Sequence, residues 1–190
     1  MSGSLFDQCG ARKYLVLKER QAFVATARRE CASVRAFCMT LAFSGARLSE
    51  VLCLTGQRID YANGAIVVQT LKQRGKVIYR AIPVPPKLLA LLEHLRPIAD
   101  ERLWKWGRTN AWKVVKRVMR KAGIAEDLCK PKALRHAFAV EAGQKGVPLN
   151  IVQRWLGHAR IETTAIYLTA LGDEERQMAR NAWKALARSL

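Results

Sequence analysis

No apolar run in these 190 residues approaches the roughly 20 needed to cross a bilayer. The opening stretch, MSGSLFDQCG, lacks the basic start and apolar centre of a secretory signal. The five cysteines (Cys9, Cys31, Cys38, Cys53 and Cys129) are scattered, odd in number and contain no CxxC pair. That spacing excludes a zinc knuckle and a disulfide framework, and predicts buried thiols in a reducing cytoplasm. Neither an acidic cluster with metal-ligand spacing nor a GxxxxGK[ST] phosphate loop occurs, so no metal and no nucleotide cofactor is expected. Acidic residues are themselves scarce: 15 Asp and Glu face 33 Lys and Arg, a formal charge of +18. Such an excess repels itself in the free protein and points to a polyanionic partner. Double-stranded nucleic acid fits best. A membrane surface does not, because no long basic amphipathic helix carries a bulky apolar face.

Half of the residues are hydrophobic, enough for a core in a chain of this length. Residues from about 17 to 43 repeat apolar positions at three and four, which predicts one long helix with Gly45 as its stop. RLSEVLCLT follows as a second helix. Between residues 57 and 86 the texture changes to β-branched runs interrupted by NG and RG, predicting three short antiparallel strands. Helical periodicity returns in PKLLALLEHL, TNAWKVVKRVMRKAGI, KALRHAFAVEAGQKG, PLNIVQRWLGH, IETTAIYL and DEERQMARNAWKALARSL. The predicted class is mainly α with a small three-stranded antiparallel sheet, as a single domain spanning 1–190. About 1–16 form an N-terminal extension, and about 173–190 a C-terminal helix.

Two arginines fall where the pattern expects core. Arg47 opens a helix of largely apolar residues, and Arg135 lies in a stripe with Leu134, Phe138, Ala139 and Ala142. A guanidinium there must meet an anionic ligand or a structural carboxylate, with Glu50 and Glu141 as the nearest candidates.

The order of the polar residues narrows the choice. Arg47 is followed by a sheet with Lys72 before its second turn, then Lys132-x-x-Arg135, then Leu156-Gly157-His158, then Tyr167. This set, carried by SGARLSEVLCL, LKQRGKVIYRAIPVP and KALRHAFAVEAGQKGVPLNIVQRWLGHARIETTAIY, resembles the tyrosine recombinases, or phage integrase family. The resemblance covers about residues 33–170 and implies the catalytic-domain fold of that family. It implies DNA cleavage by Tyr167 through a 3′-phosphotyrosyl intermediate, with Arg47 and Arg135 clamping the phosphate in fork geometry. Lys72 becomes the general acid for the leaving 5′-oxygen, with Lys76 and Arg74 on the same hairpin as alternatives or backbone contacts. His158 becomes a phosphate contact through a ring N–H. Lys132 stands where the family most often has histidine, so it carries over as a phosphate contact, with its acid–base role left open. His136 is expected to point away as a structural residue, and packing around Tyr167 falls to Ile161, Ile166 and Leu168.

The segment TNAWKVVKRVMRKAG places Trp112, Val115, Met119 and Ala122 on one stripe with cations around the rest. By resemblance it enters the DNA major groove, with Lys76, Asn110, Lys113, Lys116, Arg117 and Arg120 as DNA contacts. The resemblance further implies a homo-oligomer on DNA, from dimer to tetramer, accessory DNA-bending proteins, and a nucleoid- or plasmid-associated cytoplasmic setting. The C-terminal helix either exchanges between protomers or folds back on its own core. No N-terminal clamp domain precedes the motifs, so the chain reads as either a minimal recombinase or a fragment. Two other functions stay open: DNA relaxation of the type IB topoisomerase kind, and non-catalytic DNA binding through a helix-turn-helix at 148–168.

Overall fold

The long helix expected over residues 17–43 is two helices, α1 (Leu17–Arg28) and α2 (Ala32–Ser44), in a computed structural model that describes residues 4–70 and 78–169. The apolar period runs through the junction, but Glu30 there pairs with Arg117 and Lys121 of a distant helix, and Cys31 is extended. The turn lets α2 pack on α1 while becoming the central element of the core. Nine of its residues are buried, including Phe37, Cys38 and Leu41. Its buried hydroxyls return to their own helix: Thr40 Oγ1 donates to Ala36 O at 2.8 Å and Ser44 Oγ to Thr40 O at 2.6 Å. The helix stops at Gly45, whose φ of 62° is the left-handed cap that glycine adopts without strain.

Immediately after that cap comes α3 (Leu48–Leu52), shorter than its apolar sequence suggests, with Arg47 at its N-cap. The three expected strands follow as β1 (Ile59–Asp60), β2 (Ala65–Thr70) and β3 (Ile78–Pro83), antiparallel and in sequence order. Register pairs Ile66 with Ile82 and Val68 with Arg80. All four side chains are buried, so an arginine occupies the inward face of a small apolar sheet.

Helices α4 (Pro86–Glu93), α5 (Arg108–Lys121), α6 (Pro131–Gln144) and α7 (Leu149–Leu156) occupy the segments their periodicity indicated. A single turn, α8 (Glu162–Ala165), leads into a 3₁₀ turn at Ile166–Thr169. The main core gathers α1 through α6 around Phe23, Phe37, Trp104 and Met119. A second cluster lies between α6, α7 and the 3₁₀ turn, built from Leu5, Ala139, Val140, Val152, Leu156 and Tyr167.

Three expectations are corrected. Only Cys38 and Cys129 are buried; Cys9 and Cys31 are exposed and Cys53 half-buried, because their segments lie at turns and edges. On α5 the buried stripe is Ala111, Val115, Val118 and Met119, while Trp112 is exposed. Ile161, expected to pack around Tyr167, is 44% exposed, whereas Ile166 packs against the cluster that holds Tyr167, itself 3% exposed. The expected helix at about 173–190 lies outside the described residues. Among the described residues no helix is long and apolar enough to cross a membrane.

Candidate active site

Arg135 projects from the buried face of α6, 7% exposed, and among the described residues no carboxylate forms an ion pair with it. Glu141, the expected partner, pairs instead with Arg20 of α1. Arg135 Nη1 donates to Gly45 O at 2.8 Å and Nη2 to Leu156 O at 2.7 Å. These carbonyls end α2 and α7, where helices leave acceptors unused and carry the negative end of their dipoles. One guanidinium therefore ties together the two helix ends that lead into Arg47 and His158. Burial, helped by the charge of Arg47, brings its pKa down to about 9, so it remains cationic at neutral pH.

Arg47 does use its expected carboxylate. Glu50 accepts its Nη1 at 2.7 Å and its backbone N–H at 2.8 Å, and Glu50 is 1% exposed. Burial alone would raise the Glu50 carboxyl, but the hydrogen bond and charge of Arg80 overcome it and hold the group low. Arg47 keeps 28% of its side chain exposed, enough to leave part of its fork facing outward.

His158 follows the left-handed cap Gly157. Its Nε2 lies 3.0 Å from Arg135 Nη2 and its Nδ1 lies 2.9 Å from Thr164 Oγ1. A guanidinium only donates, so Nε2 is the acceptor and the ring proton resides on Nδ1, facing Thr164. Burial and the charges of Arg135 and Arg47 bring the ring down to about 3, which keeps it neutral. The ring N–H expected for a phosphate is thus committed to Thr164 in this arrangement.

Tyr167 stands between two imidazoles. Its ring stacks on His158 at a centroid distance of 6.2 Å, and its hydroxyl lies 3.0 Å from His136 Nδ1. Although His136 diverges from Arg135 along α6, the chain returns through the 3₁₀ turn and meets it. Burial, Lys132 and Arg135 bring the His136 ring down to about 4. Burial raises the Tyr167 phenol, against the opposing pull of Arg135 and Arg47.

Lys132 is exposed in the first turn of α6, with its charge felt at His136. Lys72 and Lys76 lie outside the described residues. The fold thus brings Arg47, Arg135, His158 and Tyr167 together and sets Lys132 nearby. Asn110, Lys113, Lys116, Arg117 and Arg120 are on α5. Sequence reasoning missed His136 and Arg80. The first carried no signal beyond adjacency to Arg135, while the second was readable as a cation at an inward strand position.

The profile of the phage integrase family matches residues 13–174. Tyrosine recombinase XerA of Pyrococcus furiosus is 33% identical over 136 residues, covering 65% of this chain and 46% of its own. A tyrosine recombinase of Thermosipho africanus is 27% identical over 143 residues, covering 72% of this chain and 49% of its own. The chain spans about half the length of these curated relatives. The crystal structure of XerA recombinase superposes with a TM-score of 0.73 at 23% identity, over 89% of this chain and 64% of that one. The XerH site-specific recombinase bound to palindromic difH substrate, a post-cleavage complex, gives 0.75 at 25% identity, over 90% and 53%. The mainly helical fold with its small antiparallel sheet is the tyrosine recombinase catalytic-domain fold.

Proposed function

The chain belongs to the phage integrase family, and from that premise we propose that it is a site-specific recombinase that cleaves and rejoins double-stranded DNA through Tyr167. The observation that carries this reading is the convergence of Arg47, Arg135, His158 and Tyr167 from three separate segments onto one small region.

Strand cleavage starts when the Tyr167 oxygen attacks the scissile phosphorus and passes its phenolic proton to solvent. The bond from phosphorus to the 5′-oxygen breaks, a 3′-phosphotyrosyl bond forms, and the 5′-oxygen takes a proton, with Lys72 as its source. The pentacoordinate phosphate gains negative charge, which Arg47 and Arg135 neutralise in fork geometry. A phosphate oxygen arriving at Arg135 Nη2 takes the place of His158 Nε2 and frees that ring to turn toward the anion. Lys132 supplies further positive charge. Rejoining is the reverse reaction with a new 5′-hydroxyl, and the phosphotyrosyl bond conserves the energy needed for it.

The substrate is double-stranded DNA, held by cations of α5 and by Lys76, in a cytoplasmic setting. Exchange of two strands requires at least a dimer, and four strands a tetramer. Reading 148–168 as a helix-turn-helix loses support, because α8 is a single turn of four residues and too short to read a groove.

The test is a nicked suicide duplex carrying the recombination site, analysed on a denaturing gel. A covalent protein–DNA adduct is expected with the unaltered chain and none with Tyr167→Phe. Tight binding without any adduct overturns the reading. Relaxation of supercoiled plasmid without strand exchange favours the topoisomerase alternative.

A further inference from the structure

Arg80 is a buried cation that the cleavage chemistry above does not use. It extends inward from β3, with 5% of its side chain exposed, and serves three elements at once. Its Nε donates to Trp155 O at 2.8 Å, its Nη1 to Thr70 Oγ1 at 2.7 Å and its Nη2 to Glu50 Oε2 at 2.7 Å. Each partner is close in sequence to a residue of the proposed chemistry. Thr70 ends β2, two residues before Lys72. Glu50 holds both the side chain and the backbone of Arg47. Trp155 precedes Leu156, whose carbonyl takes Arg135, and lies three residues before His158.

The surroundings are shaped for this guanidinium. Gly157 has a φ of 65°, and a Cβ there would meet Arg80 Nη1 at 2.8 Å. Side-chain size at the end of α7 is therefore limited by the arginine passing beneath it. The same guanidinium lines a cleft of about 320 Å³ between β3 and α7, together with Thr70, Gln153, Arg154, Gly157 and His158. An Arg–Glu pair this deeply buried gains little over an apolar pair of the same volume, because desolvation offsets the attraction. What a fork with three fixed acceptors supplies is relative position.

We propose that Arg80 is a positioning residue for strand cleavage, a single guanidinium that fixes Arg47, the end of β2 at Thr70 and the segment bearing His158 relative to one another. It acts through Glu50, Thr70 and the Trp155 carbonyl and does not touch the phosphate. This inference rests on the reading of the chain as a strand-cleaving recombinase.

The test compares the unaltered chain, Tyr167→Phe, the double variant Arg80→Met/Glu50→Met and the single variant Arg80→Lys. Each is assayed for adduct formation on the suicide duplex at saturating protein, for DNA affinity and for cooperative thermal unfolding. The double variant removes the buried pair together but also strips Arg47 of its carboxylate, so Arg80→Lys, which keeps Glu50, carries the assignment to Arg80. The cleavage rate of the double variant is expected to fall about 100-fold, the cost of misplaced catalytic groups, while DNA affinity changes by less than about threefold. Arg80→Lys keeps the charge but cannot span three acceptors, and is expected to lose about tenfold in rate with affinity kept. That single variant decides the matter if the double variant does not fold. Rates within about threefold of the unaltered chain, or equal losses of rate and affinity, overturn the positioning role. Absence of adduct from the unaltered chain itself overturns the recombinase reading, and this inference with it. An adduct from the unaltered chain but not from Tyr167→Phe leaves the outcome to Arg80 alone.

Discussion

The hydroxyl of Tyr167 lies 3.0 Å from Nδ1 of His136, inside an apolar cluster and away from solvent. The oxygen proposed to attack DNA is thus stored against a neutral imidazole rather than presented outward. Cleavage then requires this hydrogen bond to be exchanged for contact with a phosphate, and the energy of the contact bears on how readily the nucleophile is released. Removing the hydroxyl leaves a buried ring nitrogen unpaired, and Tyr167→Phe is expected to cost about 1–2 kcal/mol of stability in urea denaturation. In a His136→Phe background the cost is expected to shrink, giving a coupling energy of about 1 kcal/mol. A coupling below about 0.3 kcal/mol, the ordinary scatter of independent sites, shows that the two groups do not pair in solution.

Both imidazoles flanking Tyr167 are held neutral by burial, His136 at about 4 and His158 at about 3. In the unfolded chain each takes up a proton near pH 6.5. Below that pH the unfolded state binds more protons than the native state, so stability is full above about 6.5 and falls as pH drops. The loss levels off only when the native rings protonate, near 4 and 3. His136→Phe removes one of these protons, so its stability is expected to decline less steeply between pH 6.5 and 4. The difference is at most about 1.4 kcal/mol per pH unit, one proton's worth. Equal slopes for the variant and the unaltered chain sink the assignment of His136 as a buried neutral ring.

Gly45 and Gly157, the caps that aim α2 and α7 at Arg135, are constrained twice over. Both have positive φ, and a Cβ at Gly45 would overlap the ring of Phe138 while one at Gly157 would crowd Arg80. Gly64 shares the left-handed φ, at 66°, but has nothing within 4 Å of a built Cβ. Gly64→Ala is expected to cost about 1–2 kcal/mol, the backbone penalty alone. Gly45→Ala and Gly157→Ala add steric overlap and are expected to cost about 3 kcal/mol or more. Similar losses at all three positions in chemical denaturation show that the crowding is relieved at little cost.

Periodicity made α4 to α7 and the three strands legible, because each buries one face and the sequence records which residues lie on it. It misjudged the junction of α1 and α2, where the apolar period continues and the turn accompanies a tertiary ion pair from Glu30 to α5. Arg47, Arg135, His158 and Tyr167 stand out in the sequence because their order resembles that of the tyrosine recombinases, and the fold brings the four together. The partners of Arg135 do not stand out, since two backbone carbonyls leave no residue type to recognise. His136 carries no mark in the sequence, because neighbours on a helix diverge and nothing there shows Tyr167 folding back onto it. Arg80 carried a faint mark: in IYRAIP the strand alternation aligns it with Ile82, toward the core.

The cations of α5 are not equivalent, and their partners predict how each contributes to the proposed DNA binding. Arg117 is held by Glu30 at 3.0 Å, and Lys116 and Arg120 both reach Glu126 at 2.6 Å. Among the described residues no ion pair engages Lys113. Lys113 lines a surface groove of about 390 Å³ with Trp112, Lys116 and Arg120, whereas Arg117 turns away toward Glu30. A phosphate meeting Lys113 displaces only counterions, whereas one meeting Arg117 must also displace a carboxylate. Lys113→Ala is therefore expected to reduce the slope of log affinity against log salt by about 0.9, and Arg117→Ala by clearly less. Glu126→Gln releases two cations at once and is expected to tighten binding most at low salt, where screening is weakest. Fluorescence anisotropy on a duplex across a salt series reads all three. Equal slope changes for Lys113→Ala and Arg117→Ala show that the carboxylates do not hold their partners back, and that α5 meets DNA as a uniformly charged rod.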